Sequence, residues 1–285
     1  MKKGFWIILC MFFIPPVTFA GNMKLHYDRP AEYFEEALVI GNGTMGATLY
    51  GGVKKDKISF NDITLWTGEP ESENSSPDAF NVIPEIRALL ENEDYEGADK
   101  AQYKVQGHYS ENYQPLGTLT IEYLDDTAGI SDYHRWLDIG NATARTQYLK
   151  DGKLFTSDYF ASAPDSVIVI RLKSENKEGI HALLSFDSPL PHSSQVADNE
   201  ISVEGYAAYH SFPVYYKAED KHRYDPERGI HFKTLVRVLS VDGSVKNRYS
   251  DSRIEIDGST EVLILIANVT SFNGFDKDPV KEGRN

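Results

Sequence analysis

Short β-prone runs separated by turn dipeptides recur along most of this 285-residue chain and constrain its fold more than any other feature. Residues 118–123 alternate apolar and polar side chains, as a half-buried strand does. Residues 166–172 form a β-branched run suited to a central strand. Residues 181–186, 201–203, 230–241, 253–256 and 261–269 read the same way. Asp151-Gly152, Asp242-Gly243 and Asp257-Gly258 are dipeptides that tolerate the positive φ of tight hairpin turns. Strands this short and this regularly punctuated predict a mainly β chain folded as a large antiparallel β-sandwich. The exception lies between Pro77 and Val105. Pro84 suits a helix start, and Ile86, Leu89 and Leu90 share a face, which predicts one or two short inserted helices.

Gly41, Gly43 and Gly46 satisfy the dinucleotide-binding pattern G-x-G-x-x-G. That pattern binds phosphate only where a helix follows and turns its N-terminal amides toward the ligand. Here Ala47–Tyr50, Gly51-Gly52 and Ile58–Phe60 follow, which are β-prone pieces broken by turns. The glycines are therefore read as turn and close-approach positions in an antiparallel sheet.

Composition limits the compartment and the ligand. Lys2 and Lys3, the apolar run Phe5–Phe13 and the small-residue site Thr18-Phe19-Ala20 form an export signal over residues 1–20, too short and proline-broken for a membrane span. Cleavage after Ala20 removes Cys10, the only cysteine, and with it any thiolate chemistry or disulfide. It also takes the formal charge from −14 to −16. That sign disfavours nucleic acid and suits an exported, periplasmic or extracellular protein acting on a neutral ligand.

Five segments, in order, resemble glycoside hydrolase family 95, the α-L-fucosidases. Ala37–Gly52 with Phe60–Gly68 is similar to that family's A-L-P-I-G-N-G-x-x-G-A opening and its L-N-E-D-T-L-W-S-G. Tyr113–Leu119 matches Y-Q-P-L-G-D-L, Tyr133–Asp138 matches Y-x-R-x-L-D, Asp158–Asp165 matches E-x-F-A-S-x-P-D, and Ala267–Phe272 matches A-A-T-S-F. The chain departs at Asp62-Ile63, where the family has Glu-Asp, and at Thr44-Met45, where it has Arg-Leu. After the export signal at 1–20, the resemblance implies a β-sandwich over 21–270, and at 271–285 the start of a linker to a helical-barrel domain outside this chain. It further implies release of terminal, α-1,2-linked fucose with inversion, L-galactose being a related substrate. The family's catalytic acid, base and water-positioning asparagines lie in that barrel. No catalytic residue is therefore assigned here, and no cofactor.

Inverting glycosidases hold two carboxylates about 6.5–9.5 Å apart. With 43 acidic residues, spacing alone selects no pair. Asp158 and Asp165 are read as turn residues. His222 with Asp225 and Glu227, and His26 with Asp28, lack metal-ligand spacing and are read as solvated loops, so no metal is assigned. Sugar chemistry needs aromatic faces beside directional amides and carboxylates. Asn61, Asp62, Trp66, Tyr113 and Gln114 offer both and are the candidate substrate-binding or domain-interface residues. One reading makes Trp66 a core plug and has Gln114 tie a loop to backbone. The other packs this surface on the barrel, where it lends a residue to the sugar pocket. A free-standing carbohydrate-binding or scaffold module is the alternative to the hydrolase domain.

Overall fold

The computed structural model describes residues 23–70, 78–107 and 109–284. The export signal at 1–20 lies outside the described residues. Two antiparallel sheets face one another. The nine-stranded sheet runs, edge to edge, Lys24–Tyr27, Ile130–Asp138, Thr143–Lys150, Lys153–Ser162, Val167–Ser174, Glu261–Thr270, His231–Ser240, Glu200–Tyr206 and His192–Ala197. The seven-stranded sheet runs Ser244–Arg248, Arg253–Ser259, Ile180–Asp187, Gly117–Tyr123, Lys55–Asp62, Met45–Leu49 and Leu38–Gly41. The mainly β sandwich expected from the sequence is thus the observed fold.

Period-two patterning explains the packing. In Gly117–Tyr123 every second residue is buried, and Leu119 and Ile121 are fully enclosed. Across the gap Ile168, Ile170, Leu172, Val236, Ile264 and Ile266 meet them as one continuous core. Leu38–Gly41 and Met45–Leu49 form a hairpin with Gly41 opposite Gly46, so the glycine-rich segment is sheet, as its flanking residues predict. Asn42 holds that turn by accepting from the Thr44 and Met45 amides at 3.0 and 2.8 Å.

The three Asp-Gly dipeptides play three different roles. Asp151-Gly152 closes the hairpin between Thr143–Lys150 and Lys153–Ser162, both residues at positive φ (51° and 74°), as a type I′ turn requires. Asp242-Gly243 instead carries the chain from one sheet to the other. Asp257-Gly258 sits inside strand Arg253–Ser259, where the register shifts opposite Ile180 and His181. Gly258, at φ 75°, is the extra residue of a bulge.

Two helices, α1 (Ala79–Glu91) and α2 (Tyr95–Gln102), interrupt the strands. The expected start at Pro84 is corrected: Pro84 lies inside α1, which begins at Ala79. Its missing N–H leaves the Phe80 carbonyl without an intrahelical donor. Among the described residues no helix is long and apolar enough to cross a membrane.

Strand Lys55–Asp62 places Asp56, Ile58, Phe60 and Asp62 on its buried face. Asp56 reaches the opposite sheet, accepting from the Tyr159 hydroxyl at 2.8 Å and from the Gly52 amide at 2.9 Å. Burial pushes the Asp56 carboxyl up to about 6 despite those hydrogen bonds. Arg135, 1% exposed, is satisfied by backbone: Nε donates to the Arg29 carbonyl and a terminal nitrogen to that of Glu36, both at 2.8 Å. Its guanidinium lies 4.2 Å from the Tyr27 ring centroid. A buried cation thereby pins the entry loop to the nine-stranded sheet.

A carboxyl whose folded value lies above its unfolded one stabilises at low pH, and that contribution is lost as pH rises through the folded value. Urea unfolding should therefore show wild type losing about 3 kcal/mol relative to Asp56→Asn between pH 4 and pH 7. Parallel pH profiles for the two proteins would show that Asp56 stays ionised in the fold.

Candidate functional site

Strand geometry separates the first two candidate residues. Asn61 is exposed and pairs with Gly46, whereas Asp62 points into the sandwich and is 6% exposed. One Asp62 oxygen accepts from the Thr64 amide at 2.9 Å and the Thr64 hydroxyl at 2.6 Å, and the other from Asn268 Nδ2 at 2.8 Å. Asn268 Oδ1 accepts from the Thr234 hydroxyl at 2.7 Å. The Thr64 and Thr270 hydroxyl oxygens lie 2.5 Å apart. Thr64 spends its single proton on the carboxylate, so Thr270 is the donor of that pair. Asp62 is therefore an inter-sheet tie, with both oxygens committed.

Beyond the strand the chain turns, and Leu65, fully enclosed, plugs the core. The neighbouring Trp66 is 43% exposed, which corrects the core-plug reading. Its indole Nε1 donates to the Ile63 carbonyl at 3.0 Å, and its ring meets Tyr113 edge-on at 5.5 Å. A backbone bridge joins Trp66 to Tyr113, and the Gln114 amide donates to the Leu65 carbonyl at 2.9 Å. Gln114 is buried, its side-chain Nε2 donating to the Tyr113 carbonyl at 3.3 Å. Partial burial, then the charge of Asp62, raise the Tyr113 hydroxyl above its ordinary range. Trp66, Tyr113 and Gln114 thus form one unit behind Asp62, while Asn61 faces away with Tyr113 across a separate groove.

A second cluster went unread in the sequence. Glu111 accepts from the Thr67 hydroxyl, from His210 Nδ1 at 2.7 Å and from the Ser211 amide at 3.0 Å. Arg228 pairs with Glu69 and stacks 3.6 Å over the Tyr209 ring. These contacts fasten the short ribbon His210–Ser211 and His222–Arg223 beside Trp66. The paired residues lie 44 to 159 positions apart, beyond any local pattern.

The end of the sandwich so assembled carries an apolar cleft of about 350 Å³ lined by Ile63, Trp66, Pro70, Ile230, Phe272 and Phe275. Phe275 is 89% exposed. Leu116, three residues beyond Tyr113, is enclosed in the core. Residues 272–284 fold back on themselves, with the Arg284 amide donating to the Ser271 carbonyl.

The other residues weighed for chemistry are accounted for by packing. Asp158 lies mid-strand rather than in a turn and pairs with Arg145, and Asp165 accepts from the Ser162 hydroxyl at 2.6 Å. His222 Nδ1 meets the Ser211 hydroxyl at 2.7 Å, Asp225 accepts from the Glu227 amide, and His26 stacks on Trp136. Among the described residues no group of three or more His, Cys, Asp or Glu side chains is placed to hold a metal ion.

A family model described as "Glycosyl hydrolase family 65, N-terminal domain" matches residues 25–274. The chain is 28% identical to "Alpha-L-fucosidase 2" of Arabidopsis thaliana, across 88% of this chain and 31% of that protein. It is 28% identical to "Probable alpha-fucosidase A" of Aspergillus niger, across 93% of this chain and 32% of that protein. With the Aspergillus oryzae protein of the same name it shares 23%, across 84% and 32%. The chain spans about a third of the length of these curated relatives.

Asp62→Ala strands the Asn268 amide and the Thr64 hydroxyl and should cost about 2–3 kcal/mol in urea unfolding. Trp66→Ala removes a half-exposed ring and should cost about 1 kcal/mol or less. A larger loss for Trp66 than for Asp62 would contradict this assignment of roles.

Proposed function

The chain belongs to the glycosyl hydrolase family 65 N-terminal domain family, and from that premise we propose that it is the β-sandwich of an exported α-L-fucosidase-like glycoside hydrolase. The observation carrying the proposal is the match over residues 25–274 together with relatives named as α-fucosidases. The whole enzyme removes terminal, α-1,2-linked fucose from neutral glycans by inversion, and works in the periplasm or outside the cell. Inversion needs a protonated acid on the leaving oxygen and a carboxylate that activates water on the far face.

The chemistry of the sandwich supports placing that pair elsewhere. Asp56, Asp62 and Glu111, the carboxylates most withdrawn from solvent near the candidate residues, each already accept two or three hydrogen bonds. A carboxylate held this way is a fixed acceptor, poorly placed to pass a proton to a substrate. The acid and base therefore belong to a helical-barrel domain outside these residues. The end of the sandwich bearing Trp66, Tyr113 and the Phe272–Phe275 cleft is the seat for that domain, since exposed apolar surface of this kind marks an interaction site.

The test is 2′-fucosyllactose hydrolysis followed by proton NMR. The protein carrying this domain at full length should release fucose with the β-anomer appearing first. Residues 23–284 alone should release none. Hydrolysis by the sandwich alone, abolished by a substitution within it, would overturn the placement of catalysis. Initial appearance of the α-anomer would overturn inversion.

A further inference from the structure

The helical insert carries an apolar surface that the sandwich does not use. Among the described residues, the hydrogen bonds and ion pairs of α1 and α2 stay within the hairpin, Lys100 pairing with Glu96 and Lys104 with Glu85. α1 packs on α2, whose buried residues are Ala98 and Ala101, and Val82, Ile86 and Leu89 form the half-buried face of α1. Yet no residue of α1 is buried. At about 3.6 residues per turn, Phe80, Ile83 and Leu90 fall on a further stripe, about a quarter-turn round the helix from that face. All three are exposed, Phe80 by 82%. α1 is therefore apolar over about half its circumference, about twice the arc that packing on α2 requires. With Arg87, the stripe follows the i, i+3, i+7 and i+10 spacing by which a helix lies in a groove.

Three observations choose the partner. The chain leaves the sandwich for the hairpin after Pro70 and is back by Glu111, and both residues line the apolar cleft. Six residues carry Val105 to Glu111, a reach of at most about 22 Å, so the hairpin is rooted at the end of the molecule that seats the next domain. Next, Arg87 is exposed within the stripe and pairs with no carboxylate among the described residues. The matching surface is therefore an apolar groove with a carboxylate at its rim. Finally, charge disfavours the other occupants. A formal charge of −14 repels a second copy, and stripe-to-stripe pairing would set Arg87 against a second Arg87 or against Ile83. Residues 78–105 carry seven acidic and three basic side chains, the wrong sign for an anionic membrane surface.

We propose that α1 is an arm by which the sandwich grips the helical-barrel domain, with Phe80, Ile83 and Leu90 in an apolar groove of that domain and Arg87 on a carboxylate at the rim. The inference rests on the reading that such a domain belongs to the whole protein. It adds a second contact, outside the sandwich, to the seat at the apolar cleft.

The test is photo-cross-linking of the full-length protein with p-benzoylphenylalanine in place of Phe80, read by mass spectrometry of the joined peptides. The cross-link should form within one chain, to a peptide C-terminal to residue 285. The same probe in place of Asn81, on the polar side of α1, should give none. Arg87→Glu should lower the cross-link yield about tenfold, and Arg87→Lys, which keeps the charge, should lower it less. Because Arg87 is exposed and unpaired within the hairpin, neither change disturbs the hairpin itself. The proposal is overturned if the Phe80 probe joins two chains, joins only the sandwich, captures no peptide, or cross-links at unchanged yield in Arg87→Glu. Fucose release by the wild-type protein separates this inference from the reading beneath it. Release without the cross-link overturns the docking alone, and the cross-link without release overturns the fucosidase reading alone.

Discussion

Strand Lys55–Asp62 carries the interaction on which the rest of the sandwich depends: a carboxylate at each end of its buried face, with two apolar residues between. Ile58 and Phe60 contribute by leaving water, each on the order of 1.5–3 kcal/mol. That driving force is non-directional and would tolerate many relative placements of two sheets. Asp56 and Asp62 do not. Asp56 demands the Tyr159 hydroxyl, and Asp62 demands Asn268 and Thr64. Both demands fix the seven-stranded sheet against particular strands of the nine-stranded one. Burying such groups costs free energy unless every partner is present, so displaced registers are penalised more than the native one is favoured.

The same tie organises the end of the molecule that carries the candidate residues. With Asp62 fixed, the chain turns at Ile63–Thr64, Leu65 drops into the core and Trp66 is left facing outward against Tyr113. Thr64 takes part in the tie and also lines the apolar cleft. The departure from the fucosidase motif at Asp62-Ile63 therefore has a structural reading. The retained acid serves the fold, and the position occupied by Ile63 is 57% exposed, where a polar group would face the apolar cleft rather than the core.

Local chemistry was legible in the sequence wherever a residue's role depended on its neighbours in the chain. Period-two runs gave strands, Asp151-Gly152 gave a hairpin, and the β-prone pieces after Gly46 ruled out a phosphate-binding helix. Where the partner was distant, the sequence was silent. Asp257-Gly258 looks like a hairpin but is a bulge, because its role is set by Ile180–His181 in another strand. Trp66 looks like a core residue, yet it is its neighbour Leu65 that is fully enclosed. Asp62 has the chemistry of a sugar contact, but its partner Asn268 lies 206 positions away. Glu111 and His210 carried no signal, being joined only once the ribbon is docked. Pro84 was misplaced because proline marks a helix start only on average.

Paired carboxylates on one strand make the two sheets a single cooperative unit, which native-state hydrogen exchange can test. Amides of Ile58 and Phe60 in one sheet, and of Val236 and Ile266 in the other, should exchange through one common opening whose free energy equals that of global unfolding. Exchange of Ile58 and Phe60 through a separate opening of markedly lower free energy, with Val236 and Ile266 still protected, would show that the seven-stranded sheet detaches alone and would contradict the claim.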